Sequence, residues 1–369
     1  MVMLGGIIGS QLATNQALAT LPLSLIVVSI ALTTIPASML MSRIGRRNSF
    51  SIGSLIAVVS MILAMLALRE RSFLLYNVAA LVFGINMAFT QQYRYAAAES
   101  VEARYVPRAI SLVLVGSIGA AFLGTKLVTL SQYWLQDVAY GGTMALLIAM
   151  FLVQALIFQA MAPAKVHGAS ADQEQPRSLR EIIRQPIFTV AVLGATTAFG
   201  LMTLIMTATP LSMHINDQYT LEQTASIIRV HVLGMYLPSI ATGFLIEKLG
   251  VTRLMFVGAL GLLAAALVGL QGHALLHYWW ALLLLGIGWN FLYVGGTTML
   301  TYTYRTSERF RVQGFNDFLV FGSSATASLL AGTVMFYFGW GKLMLVPLPF
   351  VLLICVALMI VRKNPALKR

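Results

Sequence analysis

Ser38 to Arg47 reads SMLMSRIGRR, and Gly243 to Arg253 reads GFLIEKLGVTR. Each stretch stands where a long apolar run ends. Each runs small residue, apolar residues, a basic residue, glycine and further basic residues, with Gly45 and Gly250 in register 205 residues apart. A glycine suits a tight turn there, and the basic side chains reach a wet interface. Two further landmarks keep nearly the same offset: Gly84-Ile85-Asn86 answers Gly288-Trp289-Asn290, and Glu102 with Gly116 has the spacing of Glu308 with Gly322. Three matches in the same order imply two halves of one design.

Composition says which solvent the design is meant for. Hydrophobic residues make up 59% of the 369 and charged residues only 10%, and the mean hydropathy is +0.84. Charged residues are normally about a quarter of a soluble chain, so the sequence reads as an all-α integral membrane protein. At roughly 20 apolar residues per crossing, full spans fall near residues 18–41, 49–68, 73–98, 109–134, 141–162, 187–212, 223–246, 253–271, 277–301, 311–337 and 343–361, eleven in all. Met1 to Ala13 is apolar but short, about 20 Å of helix at 1.5 Å per residue. It reads as part of a further, truncated first span. The polar stretch 163–186 separates an N-terminal bundle, 1–162, from a C-terminal bundle, 187–369. Within it, Ser178 and Glu181 form the pattern that caps a short helix.

The net charge of +12 would suit nucleic acid, but its placement argues against that partner. With the linker and the C-terminus cytoplasmic, eighteen of the 24 Lys and Arg residues fall on that side and three (Arg69, Arg71 and Lys342) on the other. Arg94, Lys126 and Arg229 lie within spans. This is the positive-inside pattern of a multi-pass protein. Cys355, the single cysteine, sits in an apolar run and allows no internal disulfide. There is no phosphate-binding loop of the Walker type, the five histidines are scattered, and no nucleophile, base and orienter assemble. Neither a cofactor, a metal nor enzyme activity is expected.

Six plus six spans, a linker between them and a Gly-Arg-Arg turn after the second helix resemble the major facilitator superfamily. The family's motif reads approximately G-x-L-A-D-R-x-G-R-R. Ser38, Leu40, Arg43, Gly45, Arg46 and Arg47 stand at six of its positions, with Ser38 replacing glycine and Ser42 replacing the acid; the second copy keeps an acid, Glu247. The resemblance implies a bacterial inner-membrane transporter, expected to be monomeric. Two six-helix bundles would rock about a central site for a small-molecule substrate near the bilayer midplane. It also implies a gate on the linker side, with Arg46 or Arg47 meeting Glu99 or Glu102, and Arg253 meeting Glu308. Solvated charges that fix topology are the alternative.

Charges within spans need a partner or a wet cavity. The resemblance implies that Lys126 and Arg229 lie on facing helices, where they would hold an anionic or carboxylate-bearing solute, or else Lys126 snorkels and Arg229 bonds backbone. Arg94 with Gln91 is expected at the inner vestibule or the inner headgroups. Asp317 is a candidate proton carrier, or a static partner of Arg94, or a helix cap. His231 is the second proton-coupling candidate, with structural hydrogen bonding as its alternative. It stands about 200° round the helix from Arg229, so the two cannot face one cavity. Asn290 and Tyr293 share a face with Thr297 and suit a polar substrate, or helix packing. The expected function is secondary transport of a small polar, anionic or neutral organic solute coupled to protons. A drug or metabolite exporter and a transport-dead membrane sensor or assembly partner remain the alternatives. The fifth helix lacks the Gly-Pro pair of many drug antiporters of the family, which tilts against multidrug export.

Overall fold

The computed structural model describes residues 8–15, 18, 19, 21–131, 133–135, 138–161, 175–364 and 367, without the side chains of 121, 122, 125, 215 and 221. The start of the partial first span and the linker residues up to 174 lie outside the described residues.

The described residues are helical throughout their length apart from turns. The helices are α1 (Leu21–Arg69), α2 (Phe73–Thr90), α3 (Tyr93–Glu99), α4 (Val106–Ser131), α5 (Gly141–Ala160), α6 (Leu179–Ile183) and α7 (Pro186–Pro210). A π-helical turn, Leu211–Asn216, leads to α8 (Leu221–Tyr236), α9 (Ser239–Leu249), α10 (Val251–Leu270), α11 (Leu275–Thr301), α12 (Arg309–Leu345) and α13 (Pro347–Val361). Eight helical stretches among the described residues are long and apolar enough to cross a bilayer. Where eleven full spans were expected, two of these eight are very long, 49 and 56 residues.

The turn glycines act as the echo requires. Gly45 interrupts α1 at φ 79°, ψ 165°, and Gly250 divides α9 from α10 at φ 88°, ψ 147°. A side chain at either φ would be strained, whereas glycine reaches it freely. The expected linker helix also forms: the Ser178 hydroxyl accepts from the Glu181 N–H at 3.3 Å and opens α6.

By packing, the chain forms two compact units. The first comprises the chain up to Ala96, the stretch from Gly119 to the linker, and Gln313–Phe318; the second comprises Ala97–Ile118, the chain from the linker to Val312, and Leu319 onward. Each unit borrows a segment from the other half of the sequence.

In the first unit α1 packs along α2 and α5. Small hydroxyl residues carry these contacts: Ser29 donates to the Leu81 carbonyl at 2.7 Å, Ser60 to Ala79 at 2.7 Å, and Ser54 to Gln154 Oε1 at 3.0 Å. Apolar solvent gives helices no hydrophobic reason to associate, so close approach and buried hydrogen bonds do that work. In the second unit α11 is the central helix, packed against α7, α8 and α10. Its stretch from Leu292 to Leu300 is buried on every side. The outside is correspondingly apolar: Leu156, Leu352 and Ile360 are about 70% exposed, as befits a surface solvated by lipid.

Candidate functional site

α2 ends at Thr90 and α3 begins at Tyr93, with Gln91 and Gln92 in the turn between. Around this break the first unit assembles a buried polar cluster. The Arg94 guanidinium pairs with Asp317 Oδ1, at 2% and 0% exposure. Gln92 Nε2 donates to Oδ2 at 2.7 Å, while the Tyr95 hydroxyl and Asn316 Nδ2 donate to Oδ1 at 3.1 and 3.0 Å. Arg94 Nη1 also donates to the Gln91 carbonyl at 2.6 Å and to Gln91 Oε1 at 3.3 Å. Of the alternatives open for Arg94 and Asp317, the structure shows them as partners. Gln92 and Tyr95 complete the shell and were not singled out in the sequence. Their only signal was their place next to Gln91 and Arg94, at a helix break.

The first motif copy closes on the same segment of α12. Arg46 Nη2 donates to Gln313 Oε1 at 2.8 Å. A Cβ on Gly314 would lie 2.9 Å from Ser38 Cβ, closer than carbon atoms pack. In the second unit the relation is exchanged: a Cβ on Gly243 would lie 2.7 Å from Arg108 Cα. Each motif copy therefore crosses its partner helix with one glycine at the contact. It sits on the partner in the first copy and on the motif in the second, which explains Ser38 in a glycine position. Ser42 turns its hydroxyl to the Met39 carbonyl of its own helix at 2.7 Å. Glu247, the acid the second copy retains, pairs with Arg108, whose guanidinium carbon also lies 4.3 Å from the Phe244 ring centroid.

One expected gate pairing, Arg253 with Glu308, needs correction. Glu308 does not meet Arg253. Its carboxylate, 1% exposed, is taken by Arg177 through Nε at 2.9 Å, Nη2 at 2.7 Å and the backbone N–H at 2.7 Å, with the Arg305 N–H at 2.9 Å. Arg253 is exposed at the start of α10. Glu102 pairs with its neighbour Arg104 at 3.2 Å on an exposed turn, and Glu99 has Arg309 at 3.6 Å. Arg43 and Arg47 are exposed. Arg177 won Glu308 because it lies on the linker and brings its own N–H as well as its side chain. Charge pattern alone gave no sign of that.

Asn290 and His231 are corrected as well. Asn290 Nδ2 donates to the Met235 carbonyl at 2.7 Å and to Ser239 Oγ at 2.6 Å, and Oδ1 accepts from Thr242 at 2.6 Å. Both amide hydrogens and one lone pair of Oδ1 fasten α11 to α8 and α9, and the side chain is fully buried. Its repeat mate Asn86 likewise donates to the Gly53 carbonyl at 2.8 Å. His231 is fully buried with Nδ1 2.9 Å from the Leu282 carbonyl. A carbonyl only accepts, so Nδ1 is the protonated nitrogen, and the ring ties α8 to α11. Arg229, on the opposite side of α8, is exposed, as is Lys126 on α4, and neither has an ion-pair partner among the described residues.

Tyr293 belongs to an aromatic group in the second unit. Its ring stacks on Trp289 at 5.0 Å and 25°, and Phe199 of α7 stands edge-on to Trp289, Tyr293 and Phe321 at 5.2, 4.7 and 5.2 Å. Tyr236 stands edge-on to Trp289 at 5.9 Å. Phe199 and Tyr236 are half-buried, so the group has an open rim. Behind that rim the Trp289 indole N–H and the Thr297 hydroxyl are buried with no hydrogen-bond partner among the described residues. Thr203 and Ser324 join hydroxyls at 2.7 Å along the same side of α7.

A paired-motif helical fold with a buried ion pair and an aromatic rim is the frame of a membrane carrier. Residues 1–289 match the model of the Major Facilitator Superfamily, and the chain belongs to that superfamily. It is a multi-pass membrane transporter of a small molecule and not an enzyme. The chain is 34% identical over 365 residues to the riboflavin transporter RfnT of Brucella anthropi, covering 99% of this chain and 91% of that one. It is 29% identical over 350 residues to YddS, an uncharacterized MFS-type transporter of Bacillus subtilis, covering 90% and 80%. Among solved structures, the Escherichia coli fucose:proton symporter FucP superposes with a TM-score of 0.70 at 14% identity, over 96% of this chain and 93% of that one. The human organic anion transporter MFSD10 superposes with a TM-score of 0.69 at 18% identity, over 97% and 84%. At these identities the structures share the fold alone.

Proposed function

We propose that the protein carries a small, planar, polar organic solute of the riboflavin type across a bacterial inner membrane by alternating access, with proton coupling at Asp317. The observation that carries this reading is the aromatic rim of Phe199, Trp289, Tyr293 and Tyr236 with an unspent indole N–H and threonine hydroxyl behind it. A planar heteroaromatic ring gains about 0.5–1.5 kcal/mol per aromatic partner beyond its buried area. Carbonyl groups on its edge would accept from the Trp289 N–H. The resemblance to a riboflavin transporter points to the same chemistry.

The coupling reading rests on the Arg94 and Asp317 pair. A proton on Asp317 leaves the Arg94 charge unmatched in a poorly polarisable site, so protonation and rearrangement of this cluster are linked. The spans are read as eleven full crossings. At about 1.5 Å per residue the stretches of 49 and 56 residues are each more than twice the thickness of the apolar core, so each counts as two. The 26 residues of α4 supply the eleventh. The bundles are taken as 1–162 and 187–369, with the linker and C-terminus on the cytoplasmic side.

The test is uptake of labelled riboflavin into proteoliposomes holding the purified chain, with and without an imposed pH gradient. Saturable uptake driven by the gradient is expected, and Asp317→Asn should uncouple it. Absence of both uptake and binding of riboflavin refutes the substrate, and gradient-independent uptake refutes the coupling.

A further inference from the structure

On the linker side of the second unit, the first turn of α10 and the end of α13 enclose a cavity of about 710 Å³. Arg253, Arg362 and Lys363 line it, and no acidic residue does. None of the three has an ion-pair partner among the described residues. The acids nearest along the chain to Arg253 and to Arg362 are already committed: Glu247 to Arg108 and Asp317 to Arg94. Three unmatched cations around one concavity attract a multiply bonded anion.

Apart from Thr252, the rest of the wall is apolar. Leu358, Val257 and Met359 continue from the cations along the two helices, and Val257 and Met359 are about half exposed. The cations stand where the apolar helices end. A ligand that matches both parts carries a phosphate at one end and hydrocarbon at the other. We propose that this cavity seats an anionic phospholipid, its phosphate between Arg253, Arg362 and Lys363 and an acyl chain along Val257 and Met359. Basic pockets between membrane helices are suited to such headgroups, and each surface cation adds to the attraction. The site is independent of the transported solute.

The test is native mass spectrometry of the full-length protein in detergent, titrated with phosphatidylglycerol, with phosphatidylcholine of the same acyl chains, and with inorganic phosphate. The expected result is retention of one phosphatidylglycerol at a concentration about tenfold or more below phosphatidylcholine, with the preference shrinking as salt is raised. Arg253→Gln, Arg362→Gln and Lys363→Gln together should reduce the preference to within about twofold, while Arg43→Gln with Arg47→Gln, exposed cations on the other motif turn, should preserve it. Equal retention of the two lipids by the wild-type chain overturns the proposal, and that comparison needs no variant to fold. Phosphate displacing the lipid at equal concentration also overturns it, because the cavity would then be a free-anion site.

Discussion

The Arg94 and Asp317 pair makes the sharpest energetic demand on the structure. Both groups are essentially out of water, and the carboxylate also takes hydrogen bonds from Gln92, Tyr95 and Asn316. At an effective dielectric constant of about 20, unit charges about 4 Å apart attract by about 4 kcal/mol. Removing one partner strands the other, at a cost of about 3–5 kcal/mol. Asp317→Asn and Arg94→Met are each expected to lose that much, because the surviving charge stays buried. The double variant strands neither, so it should be no worse than the worse single variant, recovering at least about 3 kcal/mol against the sum of the singles. The assay is thermal denaturation followed by the fluorescence of the five tryptophans, with all four proteins in one detergent. Strictly additive losses would refute the pairing. So would single variants indistinguishable from wild type, since a buried unmatched charge cannot be silent.

Other contacts make narrower predictions. Gly314→Ala places a methyl 2.9 Å from Ser38 Cβ and should cost about 1–3 kcal/mol by overpacking; Ser38→Gly in the same chain should restore melting, and no rescue would place the strain elsewhere. Arg177→Ala should cost about 3 kcal/mol or more, because it strips a buried carboxylate of its cation, and Glu308→Gln with Arg177→Ala should recover part of the loss in the same melt. Asn290→Ala should destabilise by about 1–3 kcal/mol by orphaning the groups it bonds, yet leave the KM for riboflavin within about twofold; a selective rise in KM would return Asn290 to the solute site. Phe199→Ala should raise that KM about tenfold, the equivalent of about 1.4 kcal/mol of lost binding; unchanged uptake would remove the aromatic rim from the solute path.

Much of the architecture was legible before any coordinates. Apolar runs long enough to cross a bilayer located the helices, because a membrane leaves the backbone no other way to pair its polar groups. The echo of Gly45 in Gly250 marked two turns of the same left-handed geometry, since that backbone region selects glycine locally. Ser178 and Glu181 forecast their helix for an equally local reason. The linker's Arg177 and the start of α4 at Arg108 were harder: both were counted as topology-setting cations, and both proved to be partners of acids in other segments.

The sequence by itself therefore determined the membrane character, the all-helical make-up and the glycine turns. Each depends on hydropathy or on φ, and these are properties of neighbouring residues. Only the tertiary structure decided which charge meets which. Arg94 and Asp317 are 223 residues apart, and Arg177 and Glu308 are 131 apart. A chain with 24 basic and 12 acidic residues allows many pairings of equal plausibility on paper. Burial chooses among them, because an ion pair that packing removes from water is held far more strongly than one left exposed. The same packing spent Asn290 and His231 on holding helices together and left the indole of Trp289 unspent, and no spacing of residues along the chain records that difference.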